Sequence, residues 1–342
     1  MTTTQLFNNV AMTITTTTIL LLLLLLLTQP INADKCHDLT NLKEGDSCHQ
    51  HWGKLKWRLH PTQIGIGKAW ALQKYKKYMS NKKDAQDELD EKPVPVVLGP
   101  NNDAWLLDHH HLLSSLDYSG FDDLSVTINV VCVFDPNESM AQFWIKMQAV
   151  HGVYAYGRPV GSPNRLPLAE AFDRLPNVIT FNETYSSFND NMWRAIAGFS
   201  RKVNVPPCDV KYGSRAFIKQ CATDGDSIPF YEFRWSYFFN LAYNDPSMKY
   251  WDNTTDANKF NTLFKELETD VLKNNHYDLE KWQLAAEYIV PLARGKAAGE
   301  FTFPRDAPKV LYGKLPGYHK GMSPIYQKDP TCNSPKCPIS QS

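Results

Sequence analysis

The chain has 342 residues, and 36 Lys and Arg balance 36 Asp and Glu, so the formal net charge is zero. Neutrality argues against a surface that binds nucleic acid by charge alone, which calls for a basic excess. No internal repeat or long disordered tract interrupts the chain after its N-terminal segment.

That segment is set apart from the fold. An apolar run from Ile19 to Leu27 is followed by "TQPINA" and Asp34. This reads as a secretory signal, residues 1–33, cleaved after the small Ala33. An uncleaved anchor is the alternative, since the preceding threonines could extend a run otherwise short of the roughly 20 residues a spanning helix needs. After cleavage about 310 residues remain, enough for one large domain or two smaller ones, with no integral membrane segment expected. The expected location is extracellular or the lumen of the secretory pathway.

All seven cysteines follow this segment. In an oxidising compartment pairing is expected. Cys36 and Cys48, Cys208 and Cys221, and Cys332 and Cys337 are near neighbours and are the candidate disulfide cysteines. Cys132 lies in the strand-like "VTINVVCVF" and is expected to be the odd one, a buried small hydrophobe. Asn137, Asn182 and Asn253 each open an Asn-x-Ser/Thr sequon and are candidate glycosylation sites.

In chain order, residues 34–53 are short, polar and bear Cys and His. "KLKWRL" alternates as a strand to Leu59, and Pro61 ends it. "GKAWALQKYKKYMSN" has helical spacing, with Trp70, Leu72 and Tyr75 or Tyr78 inward. From Lys54 to Lys83 there is no acidic residue, and an acidic run from Asp84 to Glu91 follows. This is either a solvated face with compensating neighbours or a phosphate-facing patch. "KPVPVVLGPNNDAWLLD" reads as strand, turn and strand. "HHHLLSSL" then opens a helix, with Asp108 as its N-cap. "LSVTINVVCVFD" is a strand, and "SMAQFWIKMQAVHG" a helix ended by Gly152. Beyond lies a Pro/Gly-rich connection. Four helices follow, in "NDNMWRAIAGFSRKV", "PFYEFRWSYFFNLAY", "ANKFNTLFKELETDVLK" and "DLEKWQLAAEYIVPLARGKA". The fold class is α+β: a small mixed sheet with helices, then a mainly helical C-terminal half. The expected division is 34–152 for the sheet domain, 153–300 for a helical extension packed on it, and 301–342 for a loop-rich, Cys-containing tail.

Three adjacent histidines, His109, His110 and His111, are the candidate catalytic residues. A helix that starts directly after a strand presents unpaired N–H groups and the positive end of its dipole, and so favours an anion. Imidazoles there can donate to the same oxygens or act as acid or base near neutral pH. Consecutive helical side chains point about 100° apart, so the three are not expected to share a metal ion. A packing or solvated cluster is the plain alternative.

"HPTQIGIGKAWALQKY", "PVPVVLGPNNDAWLLDHHHLLSSL", "VTINVVCVFD", "FWIKM" and "FYEFRWSYFF" together resemble the ParB-like nuclease family of the ParB/sulfiredoxin superfamily, over more than half the chain. The resemblance implies a strand-to-helix turn that handles phosphate. Plasmid-partition ParB proteins carry Gly-Glu-Arg-Arg at that turn; this chain carries Asp-His-His-His. It lacks the guanidinium groups that hold nucleotide phosphates there, and also the cysteine of sulfiredoxins. His60, Thr62 and Gln63 match the family's first box. His60, Gln63, Lys68 and Asp108 are thereby candidate phosphate-binding residues. Glu232 and Arg234 either pair within the helical half or face the pocket, while Trp193, Phe233 and Trp235 are expected in the core. The expected function is a secreted nuclease or phosphoester hydrolase acting through the Asp-His-His-His turn. The alternatives are a non-catalytic nucleotide- or anion-binding module and a structural secreted glycoprotein. Nucleic acid or a small phosphorylated ligand is the expected partner; no cofactor or metal is named by the sequence.

Overall fold

The computed structural model describes residues 36, 38–149, 152–156, 168–180, 188–200 and 231–304. The expected signal segment, Cys208, Cys221, Cys332, Cys337 and Asn182 lie outside them.

Five strands form a mixed sheet in the order β1-β6-β4-β5-β2. They are β1 (Ser47–His51), β2 (Leu59–Pro61), β4 (Val94–Leu98), β5 (Ala104–Leu106) and β6 (Ser125–Val133). The two edge pairings differ: β1 runs antiparallel to β6, and β2 parallel to β5. Every residue of β4 is buried, as expected of a strand covered on both faces. Pro95 has no N–H to donate in this central position, and the register against β6 slips between Val96 and Val97. A second, two-stranded parallel sheet joins β3 (Gly65–Ile66) to β7 (Asn189–Asp190). The "KLKWRL" strand expectation fails before Leu59. Trp52 and Leu55 are buried three residues apart in the single turn α1 (Trp52–Leu55), a 3-10 turn covers Lys56–Arg58, and Trp57 is exposed.

One sheet face packs Val94, Val96, Leu98 and Leu106 against α2 (Lys68–Ser80), α3 (Lys82–Glu91) and α4 (His110–Ser119). The other face packs Val97, Trp105 and Val131 against Phe143 and Met147 of α5 (Met140–Ala149) and Ala171 of α6 (Leu168–Asp173). A third apolar cluster holds the helices α7 (Met192–Ser200), α8 (Tyr231–Asn244), α9 (Thr254–Asn274), α10 (Leu279–Arg294) and α11 (Lys296–Glu300) together. Phe233 and Trp235 are buried there, and Trp193 stacks on Phe264 at 4.1 Å. Among the described residues no helix is long and apolar enough to cross a membrane.

The basic stretch is compensated within the fold. Lys56 reaches Asp117 and Asp122, Lys82 reaches Asp123, and Lys83 reaches Asp87. Buried Glu88 accepts from Lys74, Lys92 and the Tyr78 hydroxyl. Those lysines hold its carboxyl well below the usual carboxylate range against the opposing effect of burial. Cys36 and Cys48 form a disulfide that ties the start of the described chain to β1. Cys132, expected as the odd thiol, is buried in β6 and disulfide-bonded, its partner lying outside the described residues. The strand placement holds, but Cys132 stands one residue from the exposed strand end at Val133, where a bridge can leave the core.

Gly67 stands at the N-cap of α2 where that helix meets α7. A Cβ at this position would lie 2.4 Å from the backbone nitrogen of Ala195. The close approach of the two segments therefore requires glycine. Gly67→Ala should lower stability by about 1–3 kcal/mol through overpacking against rigid backbone. A urea melt checks this, and a change under about 0.5 kcal/mol, the usual surface range, would contradict it.

Candidate functional site

The turn between β5 and α4 differs from the expected cap. Asp108 Oδ1 accepts from the next amide, His109 N–H, at 2.6 Å. His109 is itself the N-cap residue, with a left-handed φ of 69° and no side-chain cap bond. The left-handed residue adds one position between strand and helix, so Asp108 precedes the cap and does not serve the amides two and three residues on. Helix α4 begins at His110.

The histidines then turn inward. His110 is 2% exposed, and its Nε2 accepts from the Thr62 backbone N–H at 3.2 Å. His111 is also buried, and its Nε2 accepts from the Gly67 N–H at 3.0 Å. Ser115, one turn on, donates to the carbonyl of Ala71 at 2.8 Å. Helix α4 thus holds the segment from Thr62 to Ala71 by its side chains. Burial above all pushes the His110 imidazole down to about 3, with Arg194 and His109 adding to the effect and Asp108 opposing it. Burial likewise lowers His109, which is half-buried. At His110 and His111 the expected outward, anion-attracting cluster gives way to inward rings that accept from main-chain amides. An Nε2 atom that accepts from a main-chain amide has no room for a second proton.

The remaining candidates separate. Gln63 is 5% exposed and bridges in parallel to Tyr154. His60 lies with Trp105 on the opposite sheet face, at 4.7 Å between rings, and its Nδ1 is 2.9 Å from the Asn177 carbonyl. Strand alternation sends His60 away from its neighbours Pro61 and Leu59. Lys68 donates its backbone N–H to Asp190 at 3.0 Å. Asp190 is buried, accepts from the Tyr277 hydroxyl at 2.9 Å, and is pushed up to about 6 by that burial.

Arg194 of α7 was not assigned a site role by sequence. It is 6% exposed, pairs with Glu232 and lies 4.5 Å over the Phe233 ring. Phe233 stacks on Tyr154 at 3.8 Å, and the Tyr154 N–H donates to the Thr62 carbonyl at 2.8 Å. The sequence signal available was the pair of motifs "MWRA" and "YEFRW", each with a charge inside an apolar helix. Arg194 and Glu232 thus form a largely enclosed ion pair with aromatic sides, and the Arg194 charge is felt at His110. Among the described residues, Gln63 Oε1 and His110 Nδ1 have no hydrogen-bond partner. Also among the described residues, no group of three or more His, Cys, Asp or Glu side chains is placed to hold a metal ion.

The model of the family described as "Putative ParB-like nuclease" matches residues 56–241. The chain belongs to this ParB-like family. Its match includes β2, the Asp-His-His-His turn, Arg194 and Glu232. A solved structure, the crystal structure of protein Atu1540 from Agrobacterium tumefaciens, is similar at 23% identity with a TM-score of 0.42. That likeness covers 67% of this chain and 93% of the other. No curated protein matches the ParB-like chain.

His110→Ala should destabilise by about 1–3 kcal/mol, because it leaves the buried Thr62 amide without an acceptor. The pH dependence has a definite sign. Because the folded His110 is lowered to about 3, the unfolded chain takes up its proton first as pH falls through about 6.5. The His110 contribution is complete above that pH and is lost below it, by up to about 1.4 kcal/mol per pH unit. Asp190, raised in the fold, opposes this between its unfolded and folded values. Non-titrating His110→Gln should therefore gain stability relative to wild type between pH 7 and pH 5 in paired urea melts. Parallel losses in the two proteins would contradict it.

Proposed function

We propose that the ParB-like chain hydrolyses phosphoesters, nucleic acid among them, at the first turn of α4, where the Arg194 charge is felt at His110. The observation that carries the reading is the buried His110 Nδ1, which has no partner among the described residues and feels the charge of the buried Arg194 guanidinium. Buried polar groups are almost always satisfied, so such an atom marks a place for a ligand. Arg194 brings from α7 the guanidinium that the Asp-His-His-His turn lacks, and a guanidinium in low dielectric stabilises charge on a phosphoryl oxygen. Glu232 orients it. His109 is the imidazole at the turn least enclosed by the fold and is held neutral, which suits it to accept a proton. Asp108 positions His109 through its amide, and His111 positions the start of α2. Family membership supports nucleic acid as the substrate.

A non-catalytic binding or structural role is the second reading. It is favoured by the use of both the His110 and His111 Nε2 atoms as backbone acceptors. The two are separated by incubating the purified chain with bis(p-nitrophenyl) phosphate, single-stranded DNA and RNA, with and without divalent cations. The hydrolase reading expects turnover that falls at least tenfold in Arg194→Lys, whose ammonium cannot form the planar fork. A wild-type chain inert on every substrate would leave only the second reading.

Export is part of the proposal. Asn137 and Asn253 are exposed, and Asn253 caps α9 through Oδ1, leaving Nδ2 for a sugar. Protein recovered from the medium should begin near Asp34 and lose mass on N-glycanase treatment. Material that still begins at Met1 would contradict cleavage.

A further inference from the structure

We infer that the cavity at the junction of β1 and α1 binds a tetrahedral oxyanion, sulfate or phosphate, held by Gln50, Lys54 and Arg58. The cavity has a volume of about 190 Å³ and is lined by Cys36, Gln50, Lys54, Leu55 and Arg58. A single water needs about 10–15 Å³ of such space, so a group of several heavy atoms fits. Alternation along β1 sends Cys48 and Gln50 to the same buried face. Cys48 bonds to Cys36, and the Cys36 carbonyl accepts from Arg58 Nη1 at 3.0 Å. The disulfide thus fixes the carbonyl that holds the guanidinium in place. Gln50 and Lys54 precede the residues 56–241 that match the family, so family membership assigns nothing to this cavity. None of its lining residues has a part in the phosphoester reading above.

The side chains of the lining offer donors. The His51 N–H can only donate, so the Gln50 atom it meets at 3.0 Å is Oε1. The Gln50 amide nitrogen is left over, on a residue 8% exposed, and has no hydrogen-bond partner among the described residues. An acceptor oxygen in the cavity satisfies it. Lys54 stands at the exposed rim and makes no hydrogen bond or ion pair among the described residues. Lys54 and Arg58 lie four residues apart in helical backbone, where such residues share a face. Like charges so placed repel, and an anion between them removes the repulsion. The lining has no carboxylate. Asp38 feels the Arg58 charge, but its oxygens already accept from Thr40 and Asn41. With Asp38 counted, the Lys54 charge still has no counter-ion. Ammonium, guanidinium and amide donors reach the cavity from three positions of the chain. A tetrahedral group offers oxygens to all three, whereas a carboxylate offers two in one plane.

Equilibrium dialysis of the full chain against radiolabelled sulfate and phosphate, at constant ionic strength, tests the site. Binding should saturate at one ion per chain, and acetate should not compete. Lys54→Gln should weaken binding about tenfold or more, the size of one lost charge-assisted contact. Lys54 has no partner in the fold to lose, so this variant should keep the wild-type melting temperature. Gln50→Glu keeps the oxygen that His51 needs and puts a carboxylate in the lining, so it should weaken binding at least as much while the fold holds. Lys76→Gln, the same charge change at an exposed position of α2, should bind within about twofold of wild type. Methyl phosphate separates the sources: its binding assigns the site to phosphomonoesters as well, and its exclusion assigns it to the free ion. Equal losses in Lys54→Gln and Lys76→Gln would mean general charge attraction and overturn the inference. So would uptake that does not saturate, competition by acetate, full binding by Gln50→Glu, or a wild type that takes up neither ion.

Discussion

Two hydrogen bonds from main-chain amides to imidazole nitrogens hold the centre of the molecule. The segment from Thr62 to Gly67 passes from the five-stranded sheet to the two-stranded one and then into α2, and it has no regular ladder of its own over most of its length. Its buried amides at Thr62 and Gly67 are satisfied by His110 and His111 from the first turn of α4. A backbone N–H left without a partner in this interior would cost about 1–3 kcal/mol, a large part of the marginal stability of a domain. Neutral imidazole suits the task because it offers an acceptor at the end of a rigid ring, with χ freedom removed by packing. The same contacts align β3 with β7 and set Gly67 against Ala195, so the junction of the sheet with the helical half depends on them.

This constraint explains why chemistry gathers here. Once both Nε2 atoms face the main chain, the imidazoles cannot form a cationic cluster, and positive charge must come from elsewhere. It comes from α7, whose Arg194 is carried in by the approach of that helix to α2 through Gly67 and Gly198. The polar group is therefore assembled from three distant parts of the chain: the β2–β3 segment, the start of α4, and the α7–α8 pair. Its electrostatics are those of an enclosed ion pair beside neutral imidazoles, not of an open basic surface.

Much of this was legible in residue order, for identifiable reasons. The run from Lys92 to Asp108 reads as strand, turn and strand because β4 is apolar throughout and Asn101 and Asn102 supply positive φ at the turn. The helical half is legible from the 3.6-residue spacing of its aromatics. The apparent alternation of Lys54 to Leu59 misleads because Trp52 and Leu55 bury on a helical spacing instead. Asp108 has the residue type of an N-cap, but the left-handed φ of His109 that displaces it is not encoded in any local pattern. The direction in which His110 and His111 point depends on amides more than 40 residues away in the chain. Neither that nor the place of Arg194 could be read from spacing.

The most direct test of the account is native-state hydrogen exchange at the Thr62 and Gly67 amides. If the imidazoles hold them, both should exchange only through global unfolding, with protection matching the most stable strand amides of β4 and β6. In His111→Ala, Gly67 should lose that excess protection while Thr62 retains it. Exchange of Thr62 and Gly67 in wild type at the rate of an unstructured peptide would contradict the account.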